Sequence, residues 1–308
     1  MGTIEHEKQQ GSQKRLRLPT VRIKAKAKAA WRTRPFQDTV PYGQRDDGEA
    51  VVSHNPLIAT ETLERVRIIR FNRPEKKNAL TAEMYEALIT AFQDAEADAN
   101  IRAMLITGSE HAFSAGNDIV DFLANPPSDD QAPVMRLLSL LTELRKPLVA
   151  AVCGPAVGIG TTLLLHCDLV ACGEQTSFAM PFVNLGLCAE GGSSLLLAQR
   201  VGQARANEWL LLGEPVSAER AAAAGLVNLV LPNADVFAQA LDWAKRLASK
   251  PPRALQGTRA LIRSAAADAA RRAIAAEGAM FRELLQSNEA KEAFAAFVEK
   301  RKPDFSRF

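Results

Sequence analysis

The chain has 308 residues, of which 47% are hydrophobic and 24% are charged, a balance typical of a soluble globular protein with a sizeable core. Its formal net charge of +3 is uneven, because residues 8–37 carry ten Lys or Arg and no acid while the remainder is slightly acidic. This distribution does not indicate nucleic-acid binding. No run approaches the ~18 apolar residues of a membrane span and no secretory signal is recognisable, so we expect a cytoplasmic protein without a membrane partner.

The cysteines and histidines do not indicate a metal site. The four cysteines fit no CxxC pair, and the four histidines lack ligand spacing to any partner. We therefore expect reduced, buried thiols and no metal.

Residues 1–55 form a region without hydrophobic periodicity, which predicts a disordered basic tail. Three interpretations of this tail stay open. It is a solvated arm, the product of an upstream start codon, or an organelle-targeting segment, since its middle is rich in Arg and poor in acids.

Residues 56–202 alternate strand and helix patterns, which indicates an α/β core. Strands are predicted at Val66–Phe71, 102–107, Leu148–Val152 and 168–171, with helices after Thr81 and at 134–144. Residues 203–308 are Ala-rich and read as a helical module. Its predicted helices are 204–212, 217–224, 233–249, 252–264, 266–284 and 288–300.

Three segments carry residues suited to chemistry. Residues 111–118 (HAFSAGND) follow a strand, and their small side chains allow close approach of a ligand to the backbone. An ordinary strand-to-helix turn explains the same pattern. Residues 154–160 (GPAVGIG) open an apolar helix whose free N–H groups suit an oxyanion or phosphate. They lack the Gly-Lys-Ser/Thr of a nucleotide-binding P-loop.

The third segment is residues 180–193 (MPFVNLGLCAEGGS), in which Glu190 is the only acid between residues 175 and 200. A carboxyl group in apolar surroundings has its pKa raised by desolvation, as a base working near neutral pH requires. Alternatively, Glu190 stabilises the N-terminus of the helix that follows it. The residues alone do not separate these two interpretations.

Several segments together resemble the crotonase (enoyl-CoA hydratase/isomerase) family in order and spacing across residues 57–305. They are 72–80 (NRPEKKNAL), 112–118, 146–155 (KPLVAAVCGP), 185–192 (LGLCAEGG) and 221–227 (AAAAGLV). The resemblance implies a spiral of ββα units with a C-terminal helical trimerisation module, and a homotrimer or hexamer. Phe281 and Leu284 offer apolar faces for such assembly, or for closing the chain's own core.

The resemblance also implies an acyl-CoA substrate, with no cofactor beyond the coenzyme A of that substrate. By position, the N–H groups of Asn117 and Ile159 would hold the thioester oxygen. Thr162 and Phe182 occupy the places of the two hydratase glutamates, so hydration is disfavoured. With hydration disfavoured, the sequence resembles the peroxisomal type of Δ3,Δ2-enoyl-CoA isomerase, an enzyme of fatty acid β-oxidation. The glutamate of that type maps onto Glu190.

Further substrate-contacting positions follow from the same comparison. They are Lys77, Ala79, Ala115, Gly116, Asp118, Ile119, Gly158, Phe182, Leu185 and Lys300. The basic residues Arg73, Lys76, Lys77 and Lys300 are candidates for the coenzyme A phosphates, although each is equally well explained as a solvated surface charge. Two alternatives to the isomerase stay open: another crotonase activity such as thioester hydrolysis, and a non-catalytic acyl-CoA-binding protein.

Overall fold

The computed structural model describes residues 53–308. The predicted tail, residues 1–55, therefore lies outside the described residues except for its last three positions. A seven-stranded sheet runs in the order β1-β2-β3-β4-β5-β7-β10. Its strands are β1 (Ser53–His54), β2 (Ile58–Leu63), β3 (Val66–Phe71), β4 (Ala103–Thr107), β5 (Leu148–Val152), β7 (Leu169–Gly173) and β10 (Leu229–Leu231).

The sheet is parallel from β3 onwards, whereas the pairs β1–β2 and β2–β3 are antiparallel. Strands β4 and β5 are buried along their whole length, which explains their continuous apolar sequences. The predicted strand at Val66–Phe71 is confirmed, and so is that at Leu148–Val152.

Helices cover both faces of this sheet. On one face lie α1 (Ala82–Ala97) and α3 (Pro133–Glu143), and on the other lies α8 (Asn233–Ala248). The N-terminus of α1 is capped by Thr81, whose hydroxyl accepts a hydrogen bond from the N–H of Met84 at 3.3 Å. The predicted α/β core is confirmed.

A smaller sheet brings the candidate loops together. It contains β6 (Pro155–Val157), β8 (Ser177–Ala179) and β9 (Val216–Ser217). The single-residue bridge of Ser114 with Ala156 connects β6 to the segment between β4 and α2, and the bridge of Leu80 with Asn117 connects that segment to the one before α1. The remaining α-helices of the described residues before residue 213 are α2 (Ile119–Ala124), α4 (Ile159–Thr162), α5 (Ser193–Val201) and α6 (Gln203–Leu212).

The C-terminal region is mainly helical, as expected. Besides α6 and α8, it contains α7 (Ala218–Ala224), α9 (Pro252–Leu285) and α10 (Asn288–Val298). Two departures from the sequence prediction occur. Strands β9 and β10 interrupt the helices expected after Gly202. The helices expected at 252–264 and 266–284 are one helix of 34 residues, because the Ser264-Ala-Ala-Ala stretch between them contains no Gly or Pro to end it.

Phe281 closes the chain's own core, since its ring packs edge-on against Phe122 with centroids 6.1 Å apart. Among residues 53–308, no helix is long and apolar enough to cross a membrane, and no group of three or more His, Cys, Asp or Glu could hold a metal ion.

Candidate active site

The loop that carries Asn117 is held by the buried side chain of Asn78. The Asn78 amide donates to the carbonyls of Ala112 at 2.9 Å and Phe113 at 3.1 Å. The hydroxyl of Ser114 donates back to the Asn78 carbonyl at 2.9 Å. These bonds fix the segment as a rigid turn between β4 and α2.

The backbone of Asn117 is oriented by its pairing with Leu80. The N–H of Leu80 donates to the Gly116 carbonyl at 2.7 Å, and the N–H of Asp118 donates to the Leu80 carbonyl at 2.9 Å. Asn117, between them, points its own N–H to the opposite side. Within residues 53–308 that N–H donates no hydrogen bond, so it is available to a ligand.

The loop that begins α4 lies directly beside this turn. The N–H of Val157 donates to the Ser114 carbonyl at 2.9 Å. Gly116 has φ +87°, and a Cβ atom added there would lie 2.8 Å from the Val157 carbonyl oxygen. Only glycine allows this approach without strain.

Ile159 is the first residue of α4 and follows Gly158, which has φ +55°. The N–H of Gly158 donates to the Ala179 carbonyl at 2.8 Å, whereas the N–H of Ile159 donates to no group in the described part of the chain. An added Cβ at Gly158 would meet only the ring of Phe182, at 3.8 Å. The start of α4 therefore faces an aromatic wall.

Glu190 lies in a buried position, with 8% of its surface exposed. Its Oε1 accepts a hydrogen bond from the Thr162 hydroxyl at 2.5 Å, while its Oε2 is buried without a partner among the described residues. Burial raises the pKa of Glu190 to about 8, against the lowering effect of the Thr162 bond and with a further rise from the charge of Glu277. One oxygen is thus anchored and the other is free to exchange a proton.

The side chain of Glu190 does not cap the following helix: neither of its oxygens accepts from an N–H group of the described residues, although its backbone carbonyl accepts from the N–H of Ser193 at 3.1 Å. Two other N–H groups at the start of α5 are held by Glu277 of α9: its Oε2 accepts from Gly192 at 2.6 Å, and its Oε1 from Ser194 at 2.9 Å. Sequence reasoning missed Glu277, because 85 residues separate it from Gly192 and its surroundings in the sequence are ordinary helix.

A second missed residue is Tyr85 of α1. Its side chain is buried, and its hydroxyl donates to the side-chain oxygen of Asn117. Burial raises the pKa of Tyr85, and the negative charges of Glu190 and Asp121 raise it further. Tyr85 therefore lies within electrostatic reach of Glu190 and keeps its proton at neutral pH.

The apolar wall comes from the segment before Glu190. Phe182 and Leu187 are buried, and Leu185 is half-buried in a single turn of 3-10 helix, Val183–Leu185. Thr162, at the other position that the resemblance assigns to a hydratase glutamate, is fully buried. Neither Phe182 nor Thr162 carries a group that accepts a proton at neutral pH.

The remaining predicted positions divide into two groups. Lys77, Ala79, Ala115, Asp118 and Ile119 lie on the two segments that pair through Leu80: the carbonyl of Lys77 accepts from the N–H of Ala115 at 2.9 Å, and Asp118 caps α2. By contrast, Lys300 lies beyond α10 with an exposed side chain, and no hydrogen bond of the described residues connects it to these segments.

Arg73, a candidate for phosphate binding, has its guanidinium engaged. It forms an ion pair with Asp118 at 2.7 Å and donates to the Ala79 carbonyl at 3.0 Å. This geometry favours a structural role for Arg73 and leaves Lys76 and Lys77, both exposed, as the nearby cations open to solvent.

Known proteins resemble this chain over most of its length. The sequence profile of the enoyl-CoA hydratase/isomerase family matches residues 61–307. The 2,3-dehydroadipyl-CoA hydratase of Escherichia coli is 34% identical over 79% of this chain and 95% of its own length. Enoyl-CoA delta isomerase 2 of Rattus norvegicus is 35% identical over 70% of this chain, which spans 56% of that relative.

Among solved structures, that of Pseudomonas aeruginosa OdaA superimposes with a TM-score of 0.77 at 48% identity, covering 79% of this chain and 98% of OdaA. The similarity in fold and the similarity in sequence indicate the same family. The chain therefore belongs to the enoyl-CoA hydratase/isomerase, or crotonase, family of acyl-CoA enzymes.

Proposed function

We propose that the protein is a Δ3,Δ2-enoyl-CoA isomerase, which shifts the double bond of a 3-enoyl-CoA to the 2-trans position. The observation that carries this proposal is the buried carboxylate of Glu190, which has one unpartnered oxygen among the described residues. By the family resemblance, Thr162 and Phe182 occupy the places of the two hydratase glutamates. Moving a double bond needs one base that takes and returns a proton, whereas hydratases of the family use two glutamates to add water across the double bond.

The two free N–H groups are the proposed oxyanion site. Asn117 and Ile159 would donate to the thioester oxygen, which gains negative charge when the C2 proton leaves and a dienolate forms. Removing one such donor typically costs ~2.7–4 kcal/mol of barrier. The glycines before these residues, Gly116 and Gly158, allow the two loops to present their backbone in this way.

Glu190 would take the C2 proton on its free Oε2 and return it to C4 on the same face. The C2–H bond breaks, the electron pair is delocalised through the dienolate to the thioester oxygen, and a C4–H bond forms, so no electrons or further reactants are required. The apolar walls of Phe182 and Leu187 would exclude water from this intermediate.

The pKa of about 8 for Glu190 sets the expected pH dependence. The base must be ionised to take the proton, so the rate should rise with pH up to about 8 and level off above it. A carboxylate with so raised a pKa is a stronger base than an exposed one, which matches the weak acidity of a carbon-bound proton.

The curated relatives support both the isomerase and a second candidate. Enoyl-CoA delta isomerase 2 favours the proposal, and the E. coli hydratase, which matches along almost its whole length, favours hydration as the alternative. The residues at 162 and 182 are the reason to prefer isomerisation.

The test is a pair of assays on the purified protein. With short, medium and aromatic 3-enoyl-CoAs, isomerisation is measured as a gain in the absorbance of the conjugated product. With 2-enoyl-CoAs, hydration is measured as a loss of that absorbance. We expect the gain from 3-enoyl-CoAs, and we expect Glu190→Gln to abolish it while acyl-CoA binding persists. The control is Glu283→Gln, an exposed glutamate of α9, which should leave turnover unchanged. Wild-type turnover by the Glu190→Gln variant would refute the role of Glu190, and loss of absorbance from 2-enoyl-CoAs alone would establish hydration instead.

A further inference from the structure

We propose that Glu277 is a positioning residue for Glu190: from α9 it fixes the turn that carries Glu190 and places a second negative charge beside it. This inference rests on the proposed role of Glu190 as acid–base. It assigns to the C-terminal helical region a part in the chemistry, in addition to any part in assembly.

The turn after Glu190 depends on contacts from outside itself. Gly191 and Gly192 both have positive φ, +71° and +76°, and two successive residues of this kind have an unusually wide choice of conformations when unfolded. Both oxygens of Glu277 are used to hold this turn, one by the N–H of Gly192 and one by that of Ser194. Burial raises the pKa of Glu277, and the hydrogen bonds from Ser194 and Gly192 oppose that rise. Because each oxygen accepts from an N–H, these bonds favour the ionised carboxylate.

The turn is also held from the other side. The Nε2 of His166 lies 2.8 Å from the Gly191 carbonyl, and burial lowers the pKa of His166 to about 4, so this ring is neutral. A Cβ added at Gly191 would lie 3.0 Å from the Thr162 hydroxyl oxygen. The turn is thus clamped between α9 and the segment that starts at α4.

Glu277 affects Glu190 through its charge as well as through its hydrogen bonds. Among the described residues, the titratable groups that interact electrostatically with Glu190 are Glu277 from α9, Tyr85 from α1 and Cys188 from its own loop. Tyr85 and Cys188 are uncharged at neutral pH, because burial raises the pKa of both, that of Cys188 to about 11. The only charge among these three neighbours is therefore that of Glu277, and it disfavours ionisation of Glu190.

Two variants separate the charge of Glu277 from its hydrogen bonds. Glu277→Gln keeps the size of the side chain but removes the charge and one acceptor. Glu277→Asp keeps the charge but withdraws the carboxylate from the turn. We expect Glu277→Gln to move the acidic limb of the pH profile of kcat/KM downward, on the order of half a pH unit, and to lower kcat on the plateau. Glu277→Asp should keep the limb near its wild-type position and lower only the plateau.

A readout without turnover distinguishes failure of this inference from failure of the proposed function. The carboxyl carbons of glutamate are labelled with 13C, the Glu190 resonance is assigned by its absence in Glu190→Gln, and its titration is followed by NMR without substrate. Glu277→Gln should lower the midpoint, and Glu283→Gln should not. Equal midpoints in the wild type and Glu277→Gln would overturn the inference, even if the protein proves to be an isomerase.

Thermal unfolding and circular dichroism are measured for each variant, so that a misfolded protein is recognised. If Glu277→Gln does not fold, Glu277→Asp decides the question. In the pH profile of Glu277→Asp, a plateau lower than that of the wild type with an unmoved acidic limb supports the inference. A plateau equal to that of the wild type overturns it.

Discussion

Replacing Thr162 with valine is expected to slow the reaction at neutral pH and to leave it nearly unchanged at high pH. The hydroxyl of Thr162 donates to Glu190 at 2.5 Å, and this bond favours the ionised carboxylate. A hydrogen bond to a charged group contributes about 1.5–3 kcal/mol, and one pKa unit corresponds to about 1.36 kcal/mol. Losing the bond should therefore raise the pKa of Glu190 by about one to two units.

The loss of activity follows from that shift. Below the pKa of an essential base, kcat/KM falls about tenfold for each pH unit, so Thr162→Val should be slower than the wild type by about 10- to 100-fold at pH 7. Valine has nearly the same shape as threonine, and Thr162 is fully buried, so the fold should tolerate the change. On the alkaline plateau, where Glu190 is ionised in both proteins, the two rates should approach each other.

The assay is the initial rate of conjugated-product formation from a 3-enoyl-CoA, measured between about pH 6 and pH 10. Thr162→Ser, which keeps the hydroxyl, is the control and should retain the wild-type acidic limb. An acidic limb of Thr162→Val that coincides with that of the wild type, or lies at lower pH, would refute the reasoning.

Three further predictions concern stability and assembly. Because the pKa of Glu190 is raised to about 8 in the folded protein from an ordinary 4.5, the free energy of unfolding should fall as pH rises from about 4.5 to 8. Glu190→Gln should remove this loss and raise the free energy of unfolding in urea by up to about 3 kcal/mol at pH 7. The prediction is contradicted if the free energies of unfolding of the wild type and the variant change equally with pH. Gly116→Ala should lower the free energy of unfolding by about 1–3 kcal/mol, because φ is +87° and a carbonyl oxygen lies 2.8 Å from the added Cβ. The control is Gly257→Ala in α9, where the added Cβ meets nothing within 4 Å, and this change should be neutral or stabilising. We also propose that the protein forms a homotrimer or hexamer, which would cover Leu261 and Ile262, about three-quarters exposed on α9 (76% and 77%); a monomer in light scattering would exclude it.

Local patterns predicted most of the elements that the core requires. Val66–Phe71 alternates apolar and charged residues, and Thr81 precedes a helix of regular apolar spacing, so both were predictable within a residue. Short strands such as β9, with two residues, were not, because they are too short to show a period and exist only through pairing with β8. The continuity of α9 was not predictable, because charged residues interrupt its apolar spacing although its backbone is continuous.

The candidate site was predictable only in part, and for a physical reason. Glu190 stands out because an acid in an apolar stretch is rare, and Asn117 and Ile159 follow from the family resemblance. Tyr85 and Glu277, however, reach the site from ordinary helices. Their contacts are made in space between distant parts of the chain, and no local pattern encodes them.

The long separation between Gly192 and Glu277 has a consequence for biosynthesis. When Gly192 is added to the growing chain, the carboxylate that holds the turn beside Glu190 is still 85 residues from being made. Closing so long a loop is slow relative to forming local structure. The sheet and its covering helices can therefore assemble on the nascent chain first, and the turn takes its final shape only after most of α9 has been synthesised and docked. A newly made chain should thus be compact before Glu190 is positioned for catalysis.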